Sequence, residues 1–175
     1  MNISKNMTKV FNDQIQAELA SAYLYLSMAA WFEENDFGGF AHWMKKQYAE
    51  EVEHAMKMFD YVASRGGKVE LKAISAPKRE WANVLAVYQD TLAHEMEVTK
   101  LIYKMVEAAA KEKDYASTEF LNWFVKEQVE EEETASGIVA TLEKVGDSVV
   151  GLVTYDHVLG KRSTKIGRAS CRERV

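Results

Sequence analysis

Phe40-Ala-His-Trp-Met44-Lys-Lys-Gln47-Tyr-Ala-Glu50-Glu51-Val-Glu-His54-Ala-Met-Lys-Met58-Phe-Asp-Tyr61-Val-Ala-Ser64 reads as one long helix. Phe40, Met44, Met58 and Tyr61 fall in register with steps of three and four, the spacing of a core-facing stripe. The same stripe passes through Gln47, Glu51 and His54. A carboxylate and an imidazole three residues apart therefore share an inward face. An ionised carboxylate in a dry core is costly unless something compensates it. Glu and His at this spacing can hold one metal ion. A lone Glu-x-x-His is more often a surface pair or a satisfied core histidine. Matching carboxylates on other helices decide between the two.

The flanking segments supply them. A first helix is predicted from Ser4, as N-cap, to Glu34. Its seam runs Phe11, Ile15, Glu18, Ala22, Tyr25, Ala29 and Phe32. Asn35-Asp36-Phe37-Gly38-Gly39 is a turn, short enough to make the first two helices an antiparallel hairpin. The second helix ends at Gly66-Gly67. Gly66–Lys78 holds the single proline, Pro77, and is not helical. Extended, it is long enough to run the length of the bundle and set the third helix parallel to the second. The third helix is predicted from about Arg79 to Lys111, with Val84, Tyr88, Thr91, Glu95, Val98, Ile102 and Met105 on one face. Asp114 caps a fourth, to about Lys144, aligning Leu121, Phe124, Gln128, Glu131, Ala135, Ile138 and Leu142. Asp147–Leu159 reads as a short apolar fifth helix that needs cover from the bundle end or another subunit.

Each long helix thus sets one glutamate in an apolar seam: Glu18, Glu51, Glu95 and Glu131. Like charges so close raise one another's pKa and oppose folding unless cations bind between them. The arrangement points to more than one divalent ion. Oxygen ligands with one imidazole suit iron or manganese better than structural zinc.

Composition bounds the rest. The chain has 175 residues, 47% of them hydrophobic, and a formal charge of −5. That is one all-α domain without general affinity for nucleic acid. No apolar run is long enough for a membrane span. The N-terminus has no signal-peptide core, so a cytoplasmic location is expected; the single cysteine, Cys171, fits a reducing compartment but lies in an atypical last stretch and so carries no information. Ile166–Val175 breaks the pattern and resembles the translation of a synthetic sequencing adapter. The expected division is a helical domain over 1–161 and a non-native disordered tail over 162–175.

From residue 1 to about 161 the chain resembles the bacterial non-haem ferritins. The matching motifs are Asn12-Asp-Gln-Ile-Gln-Ala-Glu18-Leu, Glu50-Glu51-Val-Glu-His54, His94-Glu95 and Glu127-Gln128-Val-Glu130-Glu131. Inward glutamates from a four-helix bundle are the known ligand pattern of ferritin-like di-metal proteins. The resemblance implies a ferritin-like four-helix bundle with a long crossover and a short fifth helix. It implies a di-iron centre in which Glu18 and His54 hold one iron, Glu51 bridges, and Glu95 and Glu131 hold the other, with Gln128 close by. It further implies a third iron site at Glu50, Glu127 and Glu130, and a redox role for Tyr25 beside the centre. Fe2+ and O2 (or H2O2) are the implied substrates, and the implied assembly is a hollow shell of 24 identical subunits that stores iron as Fe3+ mineral.

Bacterioferritins and many other di-iron proteins carry a second Glu-x-x-His. Here the residues three and four after Glu127 are Glu130 and Glu131, and the residue three after Glu95 is Val98. No haem is therefore expected, and no Cys-x-x-Cys exists for a rubredoxin centre. The rival functions are a di-iron oxidase or peroxidase that does not store iron, and a helical bundle with a merely structural metal site.

Overall fold

The computed structural model describes residues 2–162. Five helices follow one another: α1 Lys5–Glu34, α2 Gly38–Ser64, α3 Val84–Lys111, α4 Tyr115–Val145 and α5 Val149–Leu159. Among the described residues there is no strand. Four of the helices start at a side-chain cap, each worth about 1 kcal/mol. The Ser4 hydroxyl accepts from the Met7 N–H, Asn83 from Ala86, Asp114 from Ser117 and Ser148 from Gly151.

Three boundaries differ from the sequence reading. α2 begins at Gly38, so the turn is only Asn35-Asp36-Phe37, with Asp36 in the left-handed region at φ 61°. α3 begins at Val84, five residues later than expected. Asn83 is fully extended and caps the helix, while the Trp81 indole N–H reaches forward to Asp90 at 2.8 Å. α5 begins at Val149 because Ser148 caps it.

Residues 65–83 form an irregular strap laid along α1. Asn12 donates to the Lys68 carbonyl at 2.9 Å and accepts from the Glu70 N–H at 3.0 Å. Gln16 donates to the Ala73 carbonyl, and Ser27 to that of Lys78. The order of these contacts rises along both segments, so the strap runs in the direction of α1. It delivers the chain to the end where α2 began, and α3 runs parallel to α2. α1 pairs with α2, α3 pairs with α4, and α1 also touches α3. α5 closes one end against α2 and α4.

The interior is two apolar cores. One, at the α5 end, gathers Met28, Phe32, Phe40, Trp43, Tyr88 and Leu142. The other gathers Phe11, Ile15, Met58, Ile102, Leu121 and Phe124. In every long helix the polar seam residue falls in sequence between the residues given to the two cores. The cores are thus separated by a polar layer at mid-bundle. Of the tail expected over 162–175, only Arg162 is among the described residues; 163–175 lie outside them.

Candidate metal centre

The polar layer holds Glu18, Glu51, His54, Glu95, Gln128 and Glu131, each between 1% and 5% exposed. Each arrives there because it occupies an apolar seam. Helical geometry turns seam positions inward whatever their chemistry.

Glu18, Glu51 and His54 each offer a ligating atom within 4.8 Å of the others. His54 Nδ1 stands 3.5 Å from Glu51 Oε2 and 3.9 Å from Glu18 Oε2. Trp123 and Phe124 fix the imidazole edge-on, with centroids 5.4 and 5.9 Å away. Across the layer the Tyr25 hydroxyl donates to Glu95, and its ring meets the edge of His94. The Gln128 amide donates to Glu95 Oε2 and to Thr99, both at 3.3 Å. The Gln47 amide donates to Glu51 Oε1 at 3.3 Å and Glu131 Oε2 at 3.0 Å. Gln47 thereby ties the two halves of the layer together.

These donors are neutral, so they orient the carboxylates without cancelling their charge. Burial pushes the Glu18 carboxyl up to about 8, and the neighbouring Glu51 adds to the rise. Burial and then the charge of Glu95 hold Glu51 well above the usual carboxylate range. Glu95 is pushed up to about 7 by burial, with the Tyr25 hydrogen bond opposing the shift. The Tyr25 phenol is itself pushed up by burial and by Glu95. Glu18 Oε2 has no hydrogen-bond donor among the described residues. It faces another carboxyl group and an imidazole nitrogen. Desolvated acids packed against one another, one with a spare oxygen aimed at the cluster, fit divalent cations as the missing partner. The oxygen-rich set with one nitrogen suits iron or manganese.

The remaining sequence candidates lie elsewhere. Glu50 is buried and ion-paired with Arg162. Glu127 is half-buried and Glu130 exposed on α4. Among the described residues, these three form no ligand group comparable to the first. Sequence reasoning missed Gln14, whose amide donates to Glu18 Oε1 at 2.9 Å. Its place one turn before Glu18 on the same face was the available signal. It also missed Ser21, which meets His94 Nε2 at 2.8 Å, and Arg162.

No helix among the described residues is long and apolar enough to cross a membrane. The family model for the ferritin-like domain matches residues 8–145. The bacterial non-heme ferritin of Bacteroides fragilis (strain 638R) is 46% identical over 160 residues, covering 91% of this chain and 99% of its own length. That of Staphylococcus aureus (strain USA300) is 38% identical over 161 residues, covering 92% and 97%. An open pore ferritin from the hyperthermophilic archaeon Archaeoglobus fulgidus superposes with a TM-score of 0.92 at 47% identity, over 93% of this chain and all of that one.

Proposed function

The chain belongs to the ferritin family, and from that premise we propose that it is a ferroxidase and iron store. Fe2+ ions enter the polar layer, each gives up an electron to O2, and the Fe3+ product passes to a mineral held within a shell of identical subunits. The observation that carries this reading is the convergence of buried carboxylates from four helices on one layer with a single imidazole.

In this reading Glu18 and His54 hold one Fe2+ and Glu51 bridges to a second held by Glu95 and Glu131. Gln128 orients Glu95, and Tyr25 stands ready beside it as a redox partner. Raised carboxyl pKa values tie metal entry to proton release, since each ligand must ionise to bind. Carboxylates that can shift between modes let the oxidised product leave, unlike a closed structural site. In this reading Glu50, Glu127 and Glu130 supply a third, weaker iron position. The domain spans residues 1–161, Arg162 folds back onto it, and the adapter-like stretch 166–175 is foreign to it.

The assembly is a shell of 24 subunits with α5 at a symmetry axis. The exposed side chains of Val149, Val150, Val153 and Val158 support this, because an apolar strip of that kind needs cover. Graded aerobic addition of Fe2+, with O2 uptake and iron retained per chain after gel filtration both measured, tests the function. Storage predicts O2 uptake and retention of many irons per chain. O2 uptake with only about two irons kept would mean an oxidase that does not store. Metal binding without O2 uptake would mean a structural site.

A further inference from the structure

Beyond α5 the chain carries a cation to the edge of the polar layer. Arg162 folds back on α2, where its Nη2 is ion-paired with Glu50 Oε2. Its Nη1 donates to Gln47 Oε1 at 3.0 Å and to the Trp43 carbonyl at 3.4 Å. The guanidinium lies 4.5 Å from the Trp43 ring centroid. His42 Nε2, 2.8 Å from the Arg162 carbonyl oxygen, holds the backbone. The side chains of Arg162 and Glu50 are only 14% and 6% exposed, so this is not a loose surface pair.

Two consequences follow from elementary chemistry. The charge of Glu50 is already answered, so a cation coming to Glu50 must first displace the guanidinium. An amide has one oxygen and one NH2 group, and its orientation is set by its partners. Arg162 has only donors, so it takes the oxygen of Gln47 and leaves the NH2 for Glu51 and Glu131. Arg162 thus acts on two carboxylates that it does not touch.

We propose that Arg162 is a positioning residue that occupies the cation seat beside Glu50 and, through Gln47, holds Glu51 and Glu131 in place, so that a third divalent cation binds only by displacing it. The proposal rests on the reading of Glu50 as a third-site ligand.

Calorimetric titration of the whole protein with Zn2+, a redox-inert probe, tests it in the wild type, R162A, R162K, E50Q and R162A/E50Q. In R162A the third binding event tightens by about tenfold or more, because no cation has to leave Glu50. R162K falls between, since it keeps the charge but loses the fork that grips both Glu50 and Gln47. E50Q removes the third event in either background. A purely structural Arg162 predicts equal or weaker binding on its removal, never tighter. An unchanged third affinity in R162A, with E50Q still abolishing that event, overturns the proposal and leaves the third-site reading intact. Survival of the third event in both E50Q and R162A/E50Q overturns both.

Discussion

Glu18 shows what the centre costs when no cation is present. Its carboxyl has an ordinary value of 4.5 and is pushed up to about 8 in the fold, while Glu95 is pushed to about 7. Groups raised in this way stabilise the fold fully only below their unfolded value, and the contribution is lost as pH climbs through the folded value. The metal-free protein is therefore expected to lose thermal stability steadily between about pH 4.5 and about pH 8, as read by circular dichroism melting. E18Q should flatten that slope, and saturating divalent cation should restore stability at the alkaline end. A slope as steep in E18Q as in the wild type would show that Glu18 is not the group that titrates. E18A and H54A should each slow Fe2+ oxidation about tenfold or more in stopped-flow, given what even supporting residues contribute at metal sites. These residues were legible in the sequence because each breaks an apolar seam. Gln14 was less so, because a buried amide is as easily read as a surface one until its neighbour is known to be a desolvated acid.

α5 is held by a close backbone approach. The Phe40 N–H at the start of α2 donates to Asp156 Oδ1 at 2.7 Å. A Cβ at Gly39 would stand 1.9 Å from the Asp156 carbonyl oxygen, and one at Gly160 would stand 3.1 Å from Gly39 Cα. G39A must push α5 off the end of α2, at a cost of about 1–3 kcal/mol typical of overpacking. Thermal unfolding of G39A beside G38A reads this, because a Cβ at Gly38 meets nothing within 4 Å. Equal melting of the two variants would refute the docking described. The sequence revealed that α5 needs cover but not by what. Leu152, Tyr155 and Leu159 pack on the bundle core, while the exposed valines point elsewhere. The start of α3 was misread for a related reason. Periodicity locates a stripe but not its first residue, and Asn83 becomes the boundary only through the N–H it caps.

Across the whole molecule, stability and function are divided by layer. Two apolar cores above and below supply the burial that offsets a middle layer of acids. Introducing charge on the outer face of α5, as in V150E/V153E, should lower the assembled mass in light scattering while leaving subunit helicity unchanged. Unaltered mass would show that this face makes no subunit contact. The bundle, its crossover and its acid layer could all be read from the sequence, since helical period and loop length constrain them strongly. The seat of Arg162 could not be read, because it depends on where the chain returns after α5, and no periodic signal encodes that path. The claim beneath all of this is that acids from four helices share cations at mid-bundle. Anomalous diffraction at the iron edge, from crystals soaked with Fe2+ without oxygen, addresses it directly. The account predicts two strong peaks in each subunit, one beside Glu18 and His54 and one beside Glu95 and Glu131, with Glu51 between them. Peaks confined to the protein surface, with none in that layer, would contradict it.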